Sequence, residues 1–184
     1  MKKSIITALL VFICFLLQTS VCPWFSFGGI VPNMLILLTA ASGFMNGEKA
    51  GMWTGFACGL LADLFSANGG GAGNTGDMLG FYALLYLLIG YGNGKCNRLF
   101  YPEDLKLPLL MISVSDLAFN VVCYGVMFLF RARLDIQYYL LHIIIPEAVY
   151  TIVVAFVFYP LLLLINRRLE RSERRSQDQI AQKD

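Results

Sequence analysis

The sequence predicts an all-α integral membrane protein with six transmembrane helices, and three observations lead to this prediction. Hydrophobic residues make up 58% of the 184 residues, charged residues only 14%, and the mean hydropathy is +0.66. An ordinary soluble domain is roughly half apolar and a quarter charged. The apolar residues form six long runs, and the basic residues lie almost entirely in alternate gaps between them.

A membrane-spanning helix needs about 20 apolar residues, and six segments approach that length. They are residues 4–22, 30–46, 50–66, 78–94, 107–130 and 146–166. A short polar turn joins the second segment to the third, which predicts a helical hairpin. The first segment follows two lysines and lacks a small-residue cleavage site, so we interpret it as an uncleaved helix rather than a secretory signal. Residues 1–168 then form one domain, and residues 169–184 form a charged cytoplasmic tail.

The positions of the basic residues predict the orientation of the chain. If the N-terminus is cytoplasmic, twelve of the 14 Lys and Arg residues lie on the cytoplasmic side, in agreement with the positive-inside rule. Only Arg131 and Arg133 lie outside. Both termini are therefore predicted to be cytoplasmic. The basic residues after the last span predict contact with anionic lipid rather than with nucleic acid.

An ionisable residue, Asp63, stands inside the third apolar segment. Gly51, Gly55 and Gly59 precede it at intervals of four residues, so all four positions lie on one stripe of a helix. Glycines at this spacing allow a second helix to approach closely within a membrane. The stripe therefore predicts a helix-packing or partner face, with Asp63 at its end and directed towards protein.

A polar cluster near the outer surface is a second hypothesis. Asp63 lies about 21 Å along its helix at the helical rise per residue, and Glu147 follows Pro146 at the outer start of the sixth span. We hypothesise that Asp63 and Glu147 meet one of the two outer arginines, Arg131 or Arg133. Glu147 is also typical of a helix N-terminus, where a carboxylate faces the positive end of the helix dipole.

The fifth span carries a polar stripe of its own. Its members are Ser113, Asp116, Asn120 and Tyr124, which share one helical face. An acidic residue within a membrane indicates either a functional site or a hydrogen bond between helices. The sequence leaves both interpretations open for Asp116 and Asn120.

The sequence predicts no catalytic residue, metal site or cofactor. His142 is the single histidine, which excludes a metal site built from several histidines. The five cysteines form no CxxC pair. The glycine-rich loop 66–77 lacks the Lys-Ser/Thr of a phosphate-binding loop, and we interpret it as a flexible or closely packed turn.

Several short motifs resemble those of the rod shape-determining protein MreD family. They are Pro32-Asn33 at the start of the second span, Gly47-Glu48-Lys49-Ala50-Gly51, GFACGLLADLF at 55–65, GFYALLYLLIGY at 80–91, and Ile145-Pro146-Glu147-Ala148. The resemblance covers about residues 5–168. It implies that Pro32, Asn33, Asp63, Pro146 and Glu147 are the family positions in this chain.

The resemblance implies a bacterial inner-membrane protein without enzymatic activity, needed for rod shape and for peptidoglycan synthesis along the lateral wall. The implied partners are the bitopic protein MreC, the SEDS glycosyltransferase and class B penicillin-binding protein of the elongasome, and indirectly the MreB filament. The implied fold is similar to the six-helix substrate-binding subunits of energy-coupling-factor transporters.

Two other hypotheses stay open from the residues alone. A vitamin-type substrate-binding subunit of a transporter would need a roomy central cavity with convergent polar groups, here Asp63, Asp116 and Glu147. A scaffold would instead fill its core with apolar side chains and offer the glycine face, or a lipid-facing seam, to the helix of MreC. A third hypothesis combines them, with a relict pocket that holds a lipid or isoprenoid ligand.

Overall fold

The computed structural model describes residues 2–25, 31–67, 80–99, 106–131 and 145–181. Six α-helices lie within these ranges. They are α1, Lys2–Leu16; α2, Met34–Asn46; α3, Glu48–Ala67; α4, Phe81–Lys95; α5, Lys106–Arg131; and α6, Ile145–Ala181. A π-helical segment, Leu17–Val21, and a 3₁₀ turn, Cys22–Phe25, extend α1, and a 3₁₀ turn, Cys96–Leu99, follows α4.

Three helical stretches in the described ranges are long and apolar enough to cross a membrane. They are Ser4–Val21, Lys106–Val126 and Pro146–Arg168, which correspond to the first, fifth and sixth predicted spans. The second predicted span is the apolar helix α2, whose 13 residues extend only about 20 Å. Each of the six predicted segments therefore contains a helix, but only three have the length and hydropathy of a spanning helix.

The last helix extends beyond the sixth predicted span. The segment from residue 169 onward, predicted as a charged tail, is helical to Ala181. Its Glu, Arg and Gln residues are good helix formers, so helix propensity favours continuation beyond the last apolar residue. Three residues named in the sequence predictions lack a described side chain. Arg131 ends α5, whereas Arg133 and His142 lie outside the described residues altogether.

The central element of the fold is the short helix α2. Every residue from Met34 to Phe44 is buried, and α2 contacts each of the other five helices. A helix that is enclosed on all sides is apolar around its whole circumference, as this one is. The helix α2 thus occupies the centre of the bundle.

The helices α3 and α4 run antiparallel, and their backbones touch. A methyl group added to any of the three stripe glycines of α3 would lie within 3.0 Å of α4 backbone atoms, a separation that real side chains essentially never show. The facing pairs are Gly51 with Gly90, Gly55 with Tyr86, and Gly59 with Ala83. Close approach of this kind is the usual role of small residues spaced by four in membrane helices.

The same contact extends to the central helix. Gly43 of α2 lies against the carbonyl oxygen of Gly90, so that α2, α3 and α4 converge on one point. Gly47, with φ of +86°, makes the tight turn from α2 into α3. The hydroxyl groups of Ser42 and Thr54 are 3.0 Å apart and join the two arms of this hairpin. These three helices therefore form one closely packed unit.

Replacing Gly90 with alanine tests the backbone contact. The added methyl group would meet the carbonyl group of Gly51, and we expect overpacking to cost about 1–3 kcal/mol. The measurement is the unfolding temperature of the purified protein in detergent, which should fall.

The variant Gly92→Ala is the matched control. Gly92 lies two residues further along the same helix, is exposed, and has no atom within 4 Å of an added Cβ among the described residues. Alanine favours the helix there, so its unfolding temperature should stay the same or rise slightly. Equal unfolding temperatures for the two variants would contradict the close contact between α3 and α4.

Candidate functional site

The carboxylate of Asp63 binds the start of α4. Its Oδ2 accepts hydrogen bonds from the backbone N–H groups of Gly80 and Ala83, at 3.1 and 2.9 Å, and its Oδ1 accepts one from Tyr82 at 3.1 Å. The first N–H groups of a helix have no partner within the helix itself. Gly80 stands at the N-cap position with φ of +97° and has no side chain to cap them. A carboxylate of α3 therefore caps α4.

The position of Asp63 follows from the glycine stripe. Each step of four residues along α3 moves the contact one turn along the antiparallel helix α4, from Gly90 through Tyr86 to Ala83. The next step on α3 is Asp63, and it reaches the first turn of α4. The positive end of the α4 dipole adds to the hydrogen bonds in stabilising the carboxylate.

Asp63 and Glu147, the two carboxylates of the hypothesised outer cluster, have different partners among the described residues. The Asp63 carboxylate accepts hydrogen bonds from α4, whereas the electrostatic neighbours of Glu147 include Asp116, Asn120 and Cys123 on α5. Glu147 also lies in the first turn of α6, directly after Pro146, as a helix-start carboxylate would. The arginine of the hypothesised cluster falls outside the described side chains.

A second polar group lies between α5 and α6. Asp116 and Asn120 are one turn apart on α5, and Glu147 and Thr151 are one turn apart on α6. In the antiparallel pair Asp116 faces Thr151, and Asn120 faces Glu147. Glu147 is also within electrostatic reach of Asp116. We name these four residues the α5–α6 polar cluster.

The carboxyl group of Asp116 is the unusual member of the α5–α6 polar cluster. Asp116 is 0% exposed, and among the described residues neither of its oxygens has a partner in hydrogen-bonding geometry. The hydroxyl of Thr151 is buried nearby but also lacks such a partner. Burying an unbonded polar group costs free energy rather than contributing it. Among the described residues, no hydrogen bond in good geometry therefore offsets the cost of burying Asp116, although the Thr151 hydroxyl faces it.

Asn33 caps the central helix. Its Oδ1 accepts hydrogen bonds from the backbone N–H of Ile36 at 3.2 Å and from the hydroxyl of Tyr86 at 3.0 Å. Gln18 of the π-helical segment accepts a bond from the backbone N–H of Leu35 at 3.0 Å. Pro32 is buried and directly precedes Asn33, the N-cap residue of α2. The family positions Pro32 and Asn33 thus mark the capped start of a buried helix.

The sequence analysis did not identify the residues on neighbouring helices that contact the predicted site residues. Tyr86, Gly90 and Gly94 repeat at intervals of four, and this spacing was the available signal for the α4 side of the contact. Asn93 donates to the hydroxyl of Ser115 at 2.7 Å and so joins α4 to α5. Gln18 carried no pattern that distinguished it from an ordinary polar residue at a helix end.

Two cavities border α1. The larger, of about 480 Å³, lies between α1 and α3 at the end that carries Lys49. The smaller, of about 30 Å³, lies between α1, α2 and the later part of α6 and is about the size of one water molecule. Both lie beside the first helix rather than among Asp63, Asp116 and Glu147.

These features define a class of protein: a helical membrane protein whose buried polar groups cap and join its helices around a filled centre. The sequence profile described as rod shape-determining protein MreD matches residues 2–169. The chain therefore belongs to the MreD family and is a rod-shape-determining membrane protein. The family is known for a structural role in cell shape and not as a family of enzymes.

The other comparisons add no relative. Neither the search of curated proteins nor the search of solved structures found a match. The similarity to the substrate-binding subunits of energy-coupling-factor transporters stays a prediction from the resemblance. The alternative that this chain is itself such a carrier is not supported by the family to which it belongs.

Replacing Asp63 with leucine should destabilise the protein, because the N–H groups of Gly80, Tyr82 and Ala83 would lose their acceptor. Loss of a cap costs about 1–2 kcal/mol in soluble proteins. The unfolding temperature in detergent should fall, and hydrogen exchange at these three amides should accelerate. Asp63→Asn retains one acceptor oxygen and should show an intermediate effect. Unchanged amide exchange in Asp63→Leu would contradict the capping role.

Proposed function

We propose that this chain is a non-enzymatic subunit of the cell-elongation machinery in the bacterial inner membrane, with both termini in the cytoplasm. It binds a bitopic MreC-like protein and, with it, the SEDS glycosyltransferase and class B penicillin-binding protein of the elongasome, and indirectly the MreB filament. The observation that carries this proposal is the family match over residues 2–169.

The arrangement of the core supports a scaffold. The centre is filled by α2, and α2, α3 and α4 are held together by backbone contacts and side-chain caps. Such a core gives a rigid body on which other helices can be placed. A protein that presents a fixed surface to partners needs this rigidity more than it needs a cavity.

The glycine stripe is not the surface for the partner helix. Gly51, Gly55 and Gly59 are buried against α4 within the chain itself, so no second molecule can reach them without separating the two helices. This burial supports the helix-packing alternative for the stripe. In this proposal the partner helix therefore uses a lipid-facing seam.

We propose that the partner helix uses the exposed, lipid-facing surfaces of α5 and α6. Both helices expose apolar side chains at intervals of three and four residues, which form a continuous strip on each. The exposed residues are Val114, Leu117 and Val121 on α5, and Val149, Val153 and Phe156 on α6. The α5–α6 polar cluster lies between these two helices and, in this proposal, determines how they are spaced and angled for the partner.

The first experiment combines depletion with partner capture. Depleting the protein in its own bacterium should round the cells, and tagged protein from native membranes should bring down a bitopic MreC-like protein. A photo-cross-linking residue at Val153 should join the two proteins, whereas the same residue at Leu84, an exposed position on α4, should not. Rods that keep their shape, or an eluate with an ATPase pair and a transmembrane coupling subunit, would contradict the proposal.

The variant Asp116→Leu separates stability from function. An apolar side chain in place of a buried, unbonded carboxyl group should leave the unfolding temperature unchanged or raise it. If the polar cluster sets the partner surface, the variant should accumulate normally and fail to restore rod shape.

Ser113→Ala is the matched control on the same helix, since Ser113 donates only to the carbonyl of Leu109 within its own helix, at 2.8 Å. It should restore rod shape fully. Full restoration by Asp116→Leu as well would remove the α5–α6 polar cluster from the proposal.

A further inference from the structure

The groove between α1 and α3 is not used by any of the contacts described above. The two helices meet where the rings of Phe15 and Phe65 pack edge to face, with centroids 6.0 Å apart. Towards the other end of α3 they leave the cavity of about 480 Å³. This volume is within the range of roughly 300–1,000 Å³ that is typical of small-molecule sites in proteins.

The walls of the groove are made of small side chains. Ser4, Ala8 and Val11 line it from α1, and Ala50 and Ala57 line it from α3. Trp53 stands at its edge and is 75% exposed. Small side chains on both walls leave room for a slender apolar occupant, and a tryptophan at this position is typical of a residue at the membrane interface.

The small side chains on both walls of the groove favour a lipid chain as its occupant. A hydrocarbon chain is one methylene wide and has no side chains, so it can follow the narrow space between the two helices. An exposed apolar groove in contact with the bilayer is also surrounded by such chains at all times.

The charge at the mouth favours an anionic headgroup. Lys49, in the first turn of α3, lines the groove together with Asn46, and no acidic residue lines it within the described part of the chain. The opposite wall, α1, begins with Lys2 and Lys3. A lysine beside the membrane surface attracts anionic lipid, and an amide next to it can donate to a phosphate or ester oxygen.

We propose that the α1–α3 groove binds one anionic phospholipid of the cytoplasmic leaflet, with its phosphate at Lys49 and one acyl chain between Ala8 and Ala57. The inference uses the cytoplasmic N-terminus proposed above but no elongasome partner. The bound lipid fills the space between a first helix that is mostly exposed and the compact unit of α2, α3 and α4.

The test uses Trp53 as a built-in reporter. Trp24 is the only other tryptophan, so the full chain with Trp24→Phe has one fluorophore, at the groove. This protein is reconstituted into phosphatidylcholine vesicles that contain a small, equal fraction of either brominated phosphatidylglycerol or brominated phosphatidylcholine. Bromine on the acyl chain quenches only a nearby indole. We expect phosphatidylglycerol to associate about fivefold more strongly than phosphatidylcholine.

Two variants assign the effect to the groove. Lys49→Gln should abolish the preference for the anionic lipid while quenching by phosphatidylcholine persists. Ala57→Leu should fill the space between the helices and reduce quenching by both lipids. Near-ultraviolet circular dichroism and elution as a single species confirm that each variant is folded before it is compared.

The variant Leu110→Trp, made in a Trp53→Phe and Trp24→Phe background, is the matched control. Leu110 is exposed on α5 and stands four residues after Lys106, as Trp53 stands four residues after Lys49. It reports what a lysine alone does at the membrane surface, and it should show a weaker preference than Trp53.

Several outcomes would overturn the proposal. Equal quenching of Trp53 by the two lipids would exclude an anionic-lipid site, and so would an equal preference at the Leu110 position. A Trp53 signal that neither lipid quenches would mean that protein covers the groove, as in a helix-docking site. All measurements use the purified chain alone, so a failure of partner capture in the cell would leave them unaffected, and the reverse also holds.

Discussion

The fold depends on one constraint: a helix that begins inside the bilayer must find acceptors for its first N–H groups within the protein, because lipid offers none. Two short helices have such acceptors within the protein. Asn33 and Gln18 satisfy the start of α2, and Asp63 satisfies the start of α4. Each of these short helices is thereby held at its first turn by a hydrogen-bond acceptor. The positions of these acceptors determine how α2, α3 and α4 are placed relative to one another.

The backbone contact between α3 and α4 helps to provide acceptors for the first N–H groups of α4. Asp63 can reach three N–H groups only because Gly51, Gly55 and Gly59 let the two helices approach until their backbones touch. A larger residue in the stripe would move α4 away from its cap, and the cost would then combine lost packing with unbonded amides. The three glycines and the Asp63 carboxylate are therefore both required to cap α4.

Much of this arrangement could be predicted from the sequence. Intervals of four residues predicted that Asp63 shares a face with the glycines, and apolar runs predicted the positions of the helices. The partners of Asp63 could not be predicted, because they are backbone N–H groups, which are present at every residue except proline and carry no pattern. The burial of Asp116 depends on how α5 and α6 turn towards each other, which the spacing on α5 alone does not determine. The end of α6 could not be predicted, because hydropathy marks the end of an apolar segment and not the end of a helix.

Because α6 is long, a small bend within it causes a large displacement of its end. Its 37 residues extend about 55 Å, nearly twice the thickness of the hydrocarbon core. Pro160 interrupts the backbone hydrogen bonding within it and is the natural place for a bend. From there to Ala181 is about 31 Å, so a bend of about 10° moves the far end by about 5 Å. A small rearrangement between two helices would thus displace the far end of α6 by as much as one helical turn.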